Sequence, residues 1–158
     1  MDLFQDIIPD VERLGIDLLK VLLAFLLALP IAWERGHGAN NTGFRTLPVV
    51  AMAACGFALV IATVDPAEVE ARARVLQGVI TGIGFIGGGA ILKHNGSVHG
   101  LVTAATIWNA GAIGVAVGFG RISIAIVLSL INFASLLILT SLDNNGKNTG
   151  AKQEADSE

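Results

Sequence analysis

The middle of this chain has no acid: not one Asp or Glu occurs between Glu70 and Asp143. Charge is scarce throughout, at 15 % of residues, where an average soluble domain carries roughly 25 %. Tyrosine is absent and aromatic residues reach only 6 %. A single cysteine, Cys55, excludes an internal disulfide and a thiolate cage for a metal. Set among Ala and Gly, it reads as a small apolar packing residue. The ten Lys and Arg are scattered and the net charge is −3, which leaves no basic footprint for nucleic acid. No cleavable leader is read at the acidic start, whose first apolar run is long, so the first membrane segment is expected to direct insertion. No internal repeat is visible.

What remains is apolar. Hydrophobic residues make up 53 % of the chain and mean hydropathy is +0.70, the composition of one membrane domain. An all-α membrane protein is expected, with about five transmembrane helices near 16–33, 47–64, 75–92, 101–119 and 122–142. Segments of about eighteen apolar residues can each cross a hydrocarbon layer of roughly 30 Å. Residues 1–15 read as an N-terminal surface segment. Residues 143–158 hold no apolar side chain larger than Ala and read as a disordered polar tail. Near the outer end of the first segment Lys20 can snorkel, and Asp17, three residues earlier, can pair with it. Trp33 marks the other boundary. Thr46 and Pro48 read as the cap and first turn of the second segment. Asp65-Pro66-Ala67-Glu68 reads as the start of a short interfacial helix over 66–76, with Glu68–Arg72 and Glu70–Arg74 pairs.

Twelve of the nineteen glycines lie between Gly78 and Gly120. In water each would disfavour a helix by about 0.5–1 kcal/mol against alanine. In lipid an unpaired backbone amide costs more, so the helix is kept. The pairs Gly78/Gly82, Gly84/Gly88 and Gly114/Gly118 are small-xxx-small faces that allow close helix contact. Helices three and four, joined by a turn at Asn95-Gly96, are therefore expected to form a glycine-rich packing hairpin, with Gly87 also in it. Gly82 to Gly87 spells the G-x-G-x-x-G of dinucleotide sites. That motif needs a preceding strand and an acid about twenty residues on; Ile107, Trp108 and Asn109 stand there instead, so nucleotide binding is set aside.

Few polar residues remain as candidates for function. Thr103, Thr106 and Asn109 share roughly one helical face and, with Gln77 and Thr81, could line a polar seam. They could equally be ordinary interhelical hydrogen-bond formers. Glu34-Arg35 reads as a helix-end charge pair, joined by Arg45 from the far end of its loop. Glu34 is also the one candidate ligand for a hard cation such as Mg²⁺, although a dedicated cage would need more carboxylate oxygens. His37, His94 and His99 lack the spacing of a zinc motif. No Ser-His-Asp or Cys-His set can form, since Glu34 is the only acid near these loops. The chain is read as a non-enzyme without a cofactor. Five crossings put the termini on opposite sides. Arg35, Arg45, Lys93, Lys147 and Lys152 outnumber Arg13, Arg72, Arg74 and Arg121, which votes for a cytoplasmic C-terminus and a periplasmic N-terminus.

Taken together, AWERG…GFRT, TGIGFIGGGAILK and HGLVTAATIWNAGAIGVAVG resemble the MgtC/SapB family of bacterial inner-membrane proteins. The likeness runs from about Ile31 to Gly120. Glu34, Arg35, Arg45 and Thr46 match the first-loop pattern; Gly82, Gly84, Phe85, Gly87 and Gly89 match the glycine helix. Gly100, Leu101, Thr103 to Thr106 and Trp108 match the signature that follows. Gly36-His37 stands where the family often has a second Glu-Arg, and His99-Gly100-Leu101-Val102-Thr103 replaces an Arg-Gly-Leu-Thr-Thr run. The resemblance implies a five-helix inner-membrane protein with a periplasmic N-terminus, tied to growth in low magnesium and, in pathogens, to survival in host cells. Longer members carry a C-terminal regulatory domain, and that layer is expected to be absent here. Two functions stay open. One is a magnesium-homeostasis protein that binds itself or other membrane proteins through its glycine helices; the other is a small Mg²⁺ or proton transporter. Besides membrane lipid, the partners are then a second copy or another membrane protein, with Mg²⁺ a possible ligand and nucleic acid excluded.

Overall fold

A computed structural model describes residues 11–36, 43–94 and 96–155, with side chains over 13–36, 43–93 and 96–139. Five helices carry the described chain: α1 (Val11–Gly36), α2 (Gly43–Thr63), α3 (Val69–Gly89), α4 (Leu101–Gly118) and α5 (Ile122–Ala155). Between α3 and α4 sits a two-stranded antiparallel ribbon, β1 (Leu92–His94) and β2 (Ser97–His99). Its register pairs Leu92 with His99 and His94 with Ser97, leaving two residues for the loop. Gly96 takes φ +84° there, as an Asn-Gly hairpin turn requires. A turn therefore stands at Gly96 as expected, its other expected residue, Asn95, lying outside the described residues, and the strands on either side of it are new.

Among the described residues, four stretches are long and apolar enough to cross a membrane: Arg13–Gly36, Gly43–Thr63, Leu101–Gly118 and Ile122–Leu139. Helix α3 is the fifth helix and differs in kind. It absorbs the short interfacial helix expected over 66–76, and its first turns carry Glu70, Arg72 and Arg74. Its apolar part, Val75 to Gly89, is about fifteen residues or ~22 Å, short of the ~30 Å of a hydrocarbon core. Ahead of it Asp65 caps a turn rather than the helix, its Oδ1 accepting from the Ala67 amide at 2.8 Å. Of the two expected charge pairs only Arg74–Glu70 forms among the described residues, at 2.6 Å and exposed, where such a pair contributes little.

The core is built on α2 and α4, the pair with the most extensive contact. Ala51, Ala54, Cys55 and Ala58 on α2 are buried, and α4 lays Gly114 and Gly118 against them. A Cβ on Gly114 would overlap the Ala51 carbonyl, and one on Gly118 would overlap the Ala58 side chain and lie 2.8 Å from the Cys55 carbonyl. Only glycine allows this approach of two backbones. The expected core of helices three and four is therefore corrected: the fourth helix packs chiefly on the second. Helix α1 adds Ala24, Ala28, Ile31 and Ala32, all fully buried, a small-residue face that admits the other helices closely.

Two ends are sharper than the sequence suggests. Helix α4 closes with Gly120 at φ +73°, the Gly120 amide donating to Val117 and the Arg121 amide to Ala116. This left-handed cap satisfies carbonyls that the helix end would orphan. Helix α2 begins at Gly43, so Thr46 and Pro48 lie inside it rather than capping it. A Cβ on Gly43 would come within 2.7 Å of the Arg35 Cβ, so the chain re-enters helix directly against the end of α1. Helix α5 also departs from the expected tail, its backbone staying helical to Ala155. Extending an existing helix is far cheaper than starting one, and Ala151 to Ala155 are all helix formers.

Candidate functional site

The contacts fix how the helices alternate. Arg35, at the end of α1, meets Thr103 at the start of α4. Gly87 lies against Ala104 and Ile83 against Gly111, so α3 runs antiparallel to α4. Arg35, the ribbon and Thr103 consequently share one end of the bundle, and Asp65 and Arg121 lie at the other.

At the first end a polar cluster closes over the core. The Arg35 guanidinium donates through Nη2 to Thr103 Oγ1 at 3.0 Å. Thr106, buried, donates to the Thr103 carbonyl at 2.8 Å. One turn further in, Asn109 Nδ2 is buried with no hydrogen bond among the described residues. Glu34 is engaged by a neighbour and its Oε2 is buried. Trp33 and Phe44 pack edge to face beside it, with centroids 6.4 Å apart. The expected Glu34-Arg35 charge pair is thus replaced, for Arg35, by a link from α1 to α4. Arg45 and Lys93 are exposed, as is Trp108. Among the described residues no three His, Cys, Asp or Glu side chains come together, so Glu34 has no assembled cage around it.

The seam is only half built. Thr103, Thr106 and Asn109 belong to the cluster, but Gln77 and Thr81 are exposed. The reason is the rotation of α3, which turns Ile83 and Gly87 toward α4; Gly87 is its one buried residue. At 100° per residue, Gly78, Gly82 and Gly89 fall on the opposite side, with Gly88 next to them and Gly84 on the flank. A Cβ on any of these five would meet nothing within 4 Å. Phe85 stands in the middle of this face, 84 % exposed. The G-x-G-x-x-G run lies wholly inside this helix, without the strand and turn that phosphate binding needs.

Two positions have structural roles that the sequence does not reveal. Gly100 caps α4 at φ +86°, and a Cβ there would overlap the Ala90 carbonyl; the αL demand leaves no mark in a chain so rich in glycine. Ser129 on α5 donates to the Leu27 carbonyl of α1 at 2.6 Å. Pro30 lies close by: it has no N–H for the Leu26 carbonyl and disturbs that turn, and the Ser129 hydroxyl meets the adjacent Leu27 carbonyl.

With this geometry in place, comparison with known proteins adds the lineage. The MgtC family profile matches residues 21–145. "Protein MgtC" of Salmonella typhimurium (strain LT2) is 34 % identical over 122 residues, covering 77 % of this chain and 52 % of that protein. "Protein SrpB" of Synechococcus elongatus is 37 % identical over 125 residues, covering 72 % of this chain and 68 % of its own. An uncharacterised Haemophilus influenzae protein is 35 % identical over 133 residues, covering 78 % and 52 %. The chain thus spans about half the length of the MgtC proteins it matches. No solved structure matches it. The matched stretch takes in the polar cluster, the open face of α3 and the α2–α4 core, and the chain belongs to the MgtC family.

Proposed function

We propose that this chain is an inner-membrane protein of magnesium homeostasis that works by helix association, with the open glycine face of α3 as its contact surface. The observation that carries this reading is that five glycines of α3 have nothing within 4 Å of a would-be Cβ, on a helix with one buried residue. In lipid there is no hydrophobic drive to cover such a face, and small residues are what permit another helix to approach. The occupant is a second copy or another membrane protein. The N-terminus is periplasmic and the C-terminus cytoplasmic in this reading. In a Cys55→Ala background, Ala71→Cys should label with an impermeant thiol reagent in intact cells, and Ser97→Cys only after lysis. The reverse pattern overturns the orientation.

A second reading, a small Mg²⁺ or proton path past Thr103, Thr106, Asn109 and Glu34, has the buried Asn109 amide in its favour. Proteoliposome flux separates the two. Purified protein that conducts Mg²⁺ or protons unaided sinks the association reading, and silence in that assay together with cross-linking through α3 supports it.

A further inference from the structure

At the end of the bundle away from the polar cluster, α1 and α2 frame an open cavity of about 450 Å³, most of its lining residues exposed. Its walls are of two kinds. Ile16, Leu59 and Ala62 are apolar; Arg13, Asp17, Lys20 and Thr63 are polar. The local Asp17–Lys20 pair expected from sequence does not form. Among the described residues neither side chain enters an ion pair or a hydrogen bond.

The pocket lies where α2 ends at Thr63, the level at which lipid headgroups meet the bundle. A carboxylate and an ammonium facing that layer gain most when each meets an opposite charge. They stand one helical turn apart, with Cβ atoms separated by ~5–6 Å. A ligand that answers both must carry an anion and a cation a few atoms apart, with an apolar part for the Ile16–Leu59–Ala62 wall.

We propose that this cavity binds the headgroup of an ethanolamine phospholipid, with the phosphodiester at Lys20 and the ammonium at Asp17. Two carbons separate the charges of that headgroup, which suits groups one turn apart. The acyl chains leave along the apolar wall between α1 and α2. The site is distinct in place and residues from the α3 face, so either proposal can fail without the other.

The test is native mass spectrometry of the purified full chain, with phosphatidylethanolamine and phosphatidylglycerol in competition. Wild type should retain the ethanolamine lipid in preference. Lys20→Gln should weaken its binding about tenfold, as loss of one charge-assisted contact does. Asp17→Asn should erase the preference over phosphatidylglycerol while keeping anionic lipid bound, a change that a general loss of fold would not produce. Equal retention of the two lipids by wild type, or ethanolamine binding unmoved in both variants, overturns the proposal. Soluble glycerophosphoethanolamine serves as a third arm, and if it binds as tightly as the lipid, the lipid source is wrong.

Discussion

Helices α3 and α4 both carry small-xxx-small glycine pairs, and the chain uses them in opposite ways. On α4, Gly114 and Gly118 are filled spaces, each with the backbone of α2 where a side chain would stand. On α3, Gly78, Gly82, Gly84, Gly88 and Gly89 are empty spaces with nothing within 4 Å. The same small-xxx-small spacing therefore marks an interface already made inside the chain in one case and an unpartnered face in the other. Spacing tells that a backbone can be approached. Which backbone approaches it depends on the rotation of each helix, and that is set by neighbours far away in sequence.

The contrast breaks most visibly on α4. Gly114→Leu or Gly118→Leu must drive α2 and α4 apart along their main contact. Overpacking typically costs about 1–3 kcal/mol, and here the obstacle is backbone carbonyl rather than a side chain that can swing away, so the upper end or more is expected. Folded yield and the thermal midpoint in detergent should both fall sharply. Gly100→Ala should rank close behind. It combines a left-handed conformation that costs roughly 1–2 kcal/mol in an L-residue with overlap on the Ala90 carbonyl. If either α4 glycine accepts Leu with an unchanged midpoint, the packing described for this helix is wrong.

On α3 the expected sign reverses. Gly88→Leu enters open space in the single chain, so helix propensity alone acts and should leave the monomer unchanged or stabilise it by a little under 1 kcal/mol. Its effect should appear instead in assembly, as lost cross-linking or co-purification with a helix partner. Ile124→Leu, on a half-exposed position of α5, serves as the control that moves neither readout. A lower midpoint for monomeric Gly88→Leu would mean that this face packs within the chain, and the comparison would collapse.

Much of this fold is legible from the sequence because lipid imposes few choices. Long apolar runs must be helices, and five helices are both expected and found in the described chain. In the third, Glu70, Arg72 and Arg74 hide the fact that its polar start and apolar end form one helix. The ribbon at 92–99 was missed because three-residue strands leave almost no periodicity to read. At the candidate site, Thr103, Thr106 and Asn109 could be grouped from helical spacing alone, since they lie on one element. Arg35 reaching Thr103 across 68 positions could not. Gln77 and Thr81 were grouped with them on chemistry and fell away on geometry, because a polar side chain in sequence does not reveal which way its helix is turned.

The smallest effect concerns the link between α1 and α5. Ser129 is buried, and its hydroxyl donates to the Leu27 carbonyl at 2.6 Å, beside the turn that Pro30 deprives of an amide. Ser129→Ala removes the donor and almost no volume, so packing of the neighbouring Ala125 and Leu136 should persist. Interhelical hydrogen bonds in membranes average about 0.6 kcal/mol and reach ~1.7 at most, so a modest fall in thermal midpoint is expected. The coupling to proline makes the test specific. In Pro30→Ala the helix regains its amide and the Leu26 carbonyl its partner, so Ser129→Ala should cost less in that background than in wild type. Equal costs in both backgrounds would mean that Ser129 joins α5 to α1 without any part in repairing the proline break.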